Sequence, residues 1–139
     1  MRFIVSDQPD WIGGWVAQVV GFEYCPGRMT AIGLVSEEGE VLGGVVFYDY
    51  TGTNIWMHVA VTPGVFGARD WVRSIFDYPF NQLNCLRVSG WVPAINEAAI
   101  RLDQKLGFQI EHILKHGGTE GDHLLMGMFR DECRWIRED

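Results

Sequence analysis

A single small domain of the α/β (α+β) class is what the sequence predicts, and three observations predict it. The chain has 139 residues, a length that buries one core without disulfide or metal staples. Its apolar residues switch between strict alternation, the period of a half-buried strand, and a three-and-four spacing, the period of a helix. The segments so marked run strand, helix, three-strand meander, helix, strand, helix, strand pair, with glycine-bearing or polar punctuation between them.

Met1 to Val5 reads as a short strand. From Pro9 to Val20 the residues Trp11, Trp15, Val16, Val19 and Val20 fall at helical spacing, with Ser6 or Asp7 as cap. Gly13 and Gly14 each weaken that helix by about 1 kcal/mol, so a broken or irregular helix is the alternative. Met29 to Val35 and Val41 to Tyr50 flank the turn SEEGE and form a hairpin, and Ile55 to Val61 adds a third antiparallel strand after TGTN. Pro63 ends it. The segment GVFGA then leads into a helix over Arg69 to Phe76, with Trp71, Val72, Ile75 and Phe76 on one stripe. Cys85 to Val92 is a strand, Asn96 opens a further helix that Gly107 stops, and the strands Phe108 to Leu114 and His123 to Phe129 are joined by the turn-rich HGGTEGD.

Composition narrows the function classes. With 47% hydrophobic and 21% charged residues the chain is neither disordered nor fibrous. A net charge of -7 disfavours nucleic acid as partner, because such binding relies on a basic footprint. Cys25, Cys85 and Cys133 are odd in number and widely spaced, which fits reduced, cytoplasmic thiols and neither a disulfide framework nor a metal knuckle. Apolar runs stop well short of the roughly 20 residues of a membrane-spanning helix, and no basic segment followed by an apolar run opens the chain, so neither membrane nor export is expected.

Three landmarks carry chemistry: the run VAVTP at 59 to 63, the glycine-bearing loop after it, and NEAAIRLDQKLGF at 96 to 108. In this element order they resemble the GNAT superfamily of N-acetyltransferases, over residues 29 to 130. The resemblance implies a mixed, mostly antiparallel central sheet of about six to seven strands with helices on both faces. It also implies a V-shaped wedge between the fourth and fifth strands. In that wedge an extended pantetheine arm substitutes for a strand. Main-chain groups of Val59, Ala60 and Val61 would bind it and polarise the thioester carbonyl. The loop of 62 to 69, with Gly64, Gly67 and Ala68, would offer free N–H groups at the start of the following helix to the pyrophosphate of coenzyme A. Asn96 would bond the pantetheine amides from the mouth of the wedge.

The loop departs from the family pattern of Gln or Arg, two residues, Gly, one residue, then Gly or Ala. Gly64 stands where Gln or Arg is expected, Gly67 matches, Arg69 replaces the final small residue, and the segment is about two residues short by the same comparison. Either Arg69 and Arg73 meet the phosphates with charge-assisted bonds, or the phosphate site is eroded. A plain turn is the commoner account of any two-glycine loop, and an ordinary capped helix is the bland account of Asn96.

Many members of the family place a tyrosine two residues after the position of Arg101, beside the leaving thiolate, as general acid. Here Asp103 stands there. The expectation is an ionised carboxylate on a solvated helix face, a poor proton donor unless its pKa is raised. For a general base, His58 on the central strand is the best-placed group, since an unperturbed histidine titrates near neutral pH. Alternation puts it on the face opposite Val59 and Val61. Glu111 and Glu23 are the alternatives.

His112 and His116 are four apart but fall in a strand and turn, so no metal site is expected. The six tryptophans, Trp11, Trp15, Trp56, Trp71, Trp91 and Trp135, should be mostly core or half-buried, with an acceptor-pocket wall or a dimer face as further roles. Glu37, Glu38 and Glu40 mark a solvated hairpin tip.

The resulting expectation is an N-acyltransferase that moves an acetyl group from acetyl-CoA to a primary amine by direct attack on the thioester. The acceptor, a small molecule or a protein amine, is left open, as is a homodimer. KLGFQIE is similar to the branch that acetylates ribosomal-protein termini, and GDHLLMGMFRDECRW to compact phage-encoded members, which would place the protein in a bacterial host's cytoplasm. The rival expectation is a binding or assembly protein of this fold that has lost catalysis. A nucleic-acid modifier is the third, disfavoured by charge.

Overall fold

The computed structural model describes residues 1–65 and 68–136. One seven-stranded sheet, ordered β1-β2-β3-β4-β5-β7-β6, forms the middle layer. Its strands are β1 (Arg2–Val5), β2 (Thr30–Ser36), β3 (Val41–Tyr48), β4 (Asn54–Val61), β5 (Arg87–Pro93), β6 (Gln109–Gly118) and β7 (Gly121–Phe129). Every neighbouring pair is antiparallel except β4 with β5, which is parallel. A parallel pair needs a crossover, and the crossover here is helix α2 (Arg69–Asp77), prolonged by a π turn at Tyr78–Gln82.

Helix α1 (Pro9–Val20) lies on one face, over β2, β3 and β4, where Ile12 and Val16 pack with Ala31, Val35, Val46 and Ala60. The larger core is on the other face, where α2 and α3 (Glu97–Leu106) cover the sheet around Phe47, Met57, Phe76, Phe80, Val88 and Met126. Side chains of this size, buried in full, each contribute roughly 1.5–3 kcal/mol, so this layer dominates stability.

Three expectations need correction, in the cap of α1, the start of β5 and the last hairpin, and the helix over Pro9 to Val20 forms as expected. The residue that caps α1 is Gln8, with no side-chain bond, rather than Ser6 or Asp7; Pro9 occupies the first turn, where its missing N–H costs nothing. That helix is continuous in spite of Gly13 and Gly14. Gly13 is where the Tyr24 ring lies against the helix, and a Cβ would collide with it. Strand β5 begins at Arg87, and Cys85 lies buried just ahead of it. Most of HGGTEGD belongs to β6 and β7, whose hairpin turns only at Thr119 and Glu120. His116, at φ 57, absorbs a shift in register between Leu114 and Gly118 and so lets the pairing continue.

Two sheet glycines decide how closely α1 seats. At Gly33 and at Gly44 a Cβ would run into Ile12 and Val16 respectively, so the absence of side chains there brings the helix down onto β2 and β3. This fixes where α1 ends, at Val19 and Val20, and where the returning chain of residues 21–29 lies. Gly44→Ala is therefore expected to lower stability by about 1–3 kcal/mol through overpacking against the β-branched Val16, read as a shift in the midpoint of urea unfolding.

Candidate active site

Strands β4 and β5 pair over only three positions, Asn54 with Arg87, Ile55 with Val88 and Trp56 with Ser89. Beyond them β4 remains paired to β3 as far as Val61, and β5 remains paired to β7 as far as Pro93. The two central strands thus part at Met57 and Gly90, and the facing edges of their last residues have no partner strand. This is the expected wedge between the fourth and fifth strands.

Local chemistry holds one end shut and the other open. At the closed end Ser89 Oγ donates to Asn54 Oδ1 at 2.7 Å and accepts from Arg87 Nε at 2.9 Å, while Arg87 Nη2 donates to Glu111 Oε1 at 2.6 Å. The carbonyl of Thr53 accepts from both Leu86 and Arg87. Ser89 is thereby buried with its hydroxyl satisfied. At the open end Gly90 leaves the gap unfilled, since a Cβ there would stand 3.5 Å from the carbonyl oxygen of Met57. Pro93 has no N–H to extend the pairing, and the chain turns into α3.

The opening is a cavity of about 330 Å³, walled by Met57 to Val61 of β4, Gly90 to Pro93 of β5, one face of α3 (Ala98, Ala99, Leu102 and Asp103) and the end of α1. Asn96 is on its rim and caps α3, accepting the N–H of Ala99 through Oδ1 at 3.1 Å. Capping and wedge-lining are thus compatible: the cap uses the amide oxygen and does not engage Nδ2.

Asp103 also lines this cavity, which corrects the expectation of a solvated carboxylate. Burial disfavours its charged form and pushes its pKa from 3.8 up to about 7. The signal was present in the spacing, since 96, 99 and 103 share one face of the helix. What sequence could not supply was that this face turns to a largely apolar cavity.

His58 lines the cavity on the α1 side, on the face opposite Val59 and Val61. Its ring is stacked between Phe22, at a centroid distance of 4.0 Å, and Tyr48, at 4.8 Å. Burial lowers its pKa to about 4, so it is neutral at pH 7 and a weak base. Glu111 is engaged by Arg87 at the closed end. Glu23 is exposed and not among the lining residues.

Val59, Ala60, Val61 and Asn96 come together around the cavity, as the sequence predicts. Gly64, at φ 86, is exposed in the loop leaving β4, and Ala68 is the N-cap of α2 without a side-chain bond. Gly67 lies outside the described residues. Arg69 and Arg73 are exposed on the first turns of α2; Arg69 lines a second cavity with Arg2 that shares no lining residue with the wedge. Lining residues that sequence reasoning did not assign to the site include Val19, Val20, Gly90 and Pro93, while Trp91 is one of the six tryptophans offered there as an acceptor-pocket wall. Among the described residues no group of three His, Cys, Asp or Glu could hold a metal ion, and no helix is long and apolar enough to cross a membrane.

No protein-family model matches the sequence, and no curated protein does. Solved structures do. A variant of the spermidine N-acetyltransferase SpeG from Vibrio cholerae superposes with a TM-score of 0.75 at 14% identity, over 98% of this chain and 96% of that one. The same enzyme in complex with CoA and spermine gives 0.71 at 14% identity, over 98% of both chains. The fold is that of the GNAT acetyltransferases. An acetyltransferase of the GNAT family from Bacillus anthracis gives 0.59 at 19% identity, over 73% of this chain and 67% of that chain. At such identities the GNAT fold is what is shared, and the side chains of the wedge are this protein's own.

The two neutralised groups make opposite contributions to stability. His58, with its folded pKa depressed from 6.5 to about 4, contributes stability that is whole above pH 6.5 and is lost as pH falls toward 4. For Asp103, raised from 3.8 to about 7, stability is whole below pH 3.8 and is lost as pH climbs toward 7. In the wild type these partly cancel between pH 4 and 6.5. Relative to wild type, His58→Phe should gain stability toward pH 4, and Asp103→Asn should gain it toward pH 7, by a few kcal/mol at most. Urea unfolding across that range measures both differences; parallel profiles for all three proteins would refute the assignment.

Proposed function

We propose that this protein is an acetyl-CoA-dependent N-acetyltransferase acting by direct transfer to an amine. The observation that carries the reading is the parting of β4 and β5 after Trp56 and Ser89, which leaves an unpaired main-chain edge beside a cavity. An extended pantetheine arm fits such an edge, because alternating N–H and C=O groups from Met57 to Val61 are what a substitute strand requires. The missing side chain at Gly90 provides the room. Asn96 Nδ2 would meet an amide of the arm, and the free N–H groups opening α2, with Arg69 and Arg73 beside them, would meet the pyrophosphate.

Transfer needs an unprotonated amine, a polarised carbonyl and a proton for the departing sulfur. The amine nitrogen forms the new bond to the carbonyl carbon as the carbon–sulfur bond breaks, and the electron pair leaves on sulfur. Main-chain N–H groups of β4 would hold the carbonyl oxygen. In the position where the resembled family carries its tyrosine, Asp103 would give its proton to the sulfur. The new amide gives its surplus proton to water. His58, neutral and stacked, would act as wall rather than base.

The leaning toward the ribosomal-protein branch rests on KLGFQIE, and much of that segment has structural work: Leu106 and Phe108 are buried, Gly107 is the left-handed cap at φ 116, and Glu111 pairs with Arg87. It supports the fold more than a choice of acceptor.

Calorimetric titration with acetyl-CoA should give saturable binding, weakened in Asn96→Ser, which keeps a capping oxygen but removes the amide. Absence of binding at millimolar ligand would defeat the proposal. In steady-state assays Asp103→Asn should lose about a hundredfold in kcat. Since Asp103 is protonated below about pH 7, wild-type kcat should fall as pH rises through that value. The fall should vanish in Asp103→Asn and move toward about pH 10 in Asp103→Tyr. A wild-type profile unchanged in the asparagine variant would remove Asp103 from the reaction.

A further inference from the structure

A row of rings crosses the sheet on the α1 face and ends at the wedge. Phe22 stacks on His58 at 4.0 Å, His58 on Tyr48 at 4.8 Å, Tyr48 on Trp56 at 6.5 Å and Trp56 on Trp91 at 5.6 Å, with interplanar angles of 19°, 16°, 25° and 11°. These rings are only half-buried. Helix α1 packs over β2, β3 and β4, and its last residues, Val19 and Val20, line the same cavity as Trp91.

Register explains why the row stops at an opening. Trp56 faces Ser89, and two residues further along each strand come His58 and Trp91. Continued pairing would set these two side by side. Because the strands have parted, both line the cavity instead, one from each bank. Beside them stand Val19 and Val20, which are 57% and 45% exposed, whereas Ile12 and Val16 of the same helix are fully buried.

The charge content is equally specific. Of the residues lining this cavity, Asp103 alone carries a carboxyl group, and His58 is the one other titratable side chain. Burial keeps His58 neutral at pH 7 and leaves Asp103, titrating near 7, only partly ionised there. A polycationic acceptor would therefore find one partial counter-charge, at Asp103, for its several ammonium groups and set the others against apolar walls, a costly arrangement. The cavity's volume of about 330 Å³ must also admit the end of the pantetheine arm, so the room left for an acceptor is that of a small molecule.

We infer that the acceptor subsite lies between His58 and Trp91, under Val19 and Val20, and takes a small aryl-alkyl primary amine whose ring stacks on Trp91. The inference rests on the transferase reading above and deepens it by naming the acceptor class. An aromatic ring on such a wall gains from offset stacking in addition to its buried area, whereas an alkyl chain of equal length gains area alone.

The test uses the whole chain with acetyl-CoA and four acceptors: phenylethylamine, tryptamine, hexylamine and spermine, following thiol release. The aryl amines are expected to show kcat/KM roughly tenfold above hexylamine and spermine. Trp91→Ala should bring them down to the hexylamine level, Trp91→Phe should keep the preference, and acetyl-CoA affinity should be unchanged in both. Spermine or hexylamine equalling the aryl amines, or a preference that survives Trp91→Ala in a protein with a normal melting transition, overturns the inference. If acetyl-CoA does not bind, the transferase reading has failed, and the subsite is judged separately by tryptophan fluorescence on titration with phenylethylamine. Saturable quenching that Trp91→Ala removes upholds it; no quenching overturns it.

Discussion

The site depends on one constraint: β4 and β5, the parallel neighbours in the sheet, share only three residue pairs. Their outer neighbours hold each of them straight, so the divergence is a property of the sheet and not fraying of a strand end. Tight pairing at one end and separation at the other require opposing local instructions. The Asn54–Ser89–Arg87–Glu111 chain of hydrogen bonds supplies the first, converting a buried serine from a cost into a clamp. Gly90, Pro93 and the start of α3 supply the second. Polar side chains thus hold the wedge shut where it must not open, and missing groups leave it open where a ligand edge would enter.

The cavity inherits its electrical character from the helices seated around it. Gly33 and Gly44 let α1 approach closely enough that its last turn overhangs the wedge, and Tyr24, bonded to the carbonyl of Met29 at 3.0 Å, folds the next segment back over the Gly13 gap. That return carries Phe22 onto His58. From the other side α3 brings Asp103 inward. Two side chains that would be charged or half-charged in water near pH 7 are held close to neutrality because packing removes water from both. A polar mouth and a low-dielectric interior lie within the same few residues of α3, from Asn96 to Asp103.

The sequence made the element order readable because periodicity and punctuation are local, and Asn96 and Gly107 take the capping roles their residue types favour. The wedge was legible through a resemblance of ordered landmarks, and its parallel pair needed that resemblance, since alternation alone does not give strand direction. The state of Asp103 was not legible. A carboxyl on an amphipathic helix is solvated by default, and only the assembled neighbours on α3, β4 and β5 withdraw the water. The hairpin of β6 and β7 was drawn too short for a related reason: HGGTEGD has turn composition, yet His116 takes a left-handed conformation that lets a strand pass through it. Trp91 was visible only as one of six tryptophans, because its partner in the argument, His58, is defined by a register that no local pattern encodes.

In the proposed reaction this apolar interior does part of the work usually given to a base. Only an amine with a free lone pair can attack a thioester, and at neutral pH most alkylamines are protonated in water. A cavity that neutralises its own histidine and carboxyl by desolvation exerts the same pressure on a guest. An entering ammonium sheds its proton more readily there than in solution, for the reason that holds His58 unprotonated down to about pH 4. The proton-carrying role is then needed mainly at the sulfur, where negative charge develops. A carboxyl group titrating near pH 7 is suited to that position, being protonated often enough to donate and acidic enough to do so quickly. One physical cause, the partial withdrawal of water by α1, α3 and the parted strands, would then serve both to deliver the nucleophile neutral and to hold a larger share of Asp103 protonated than in water.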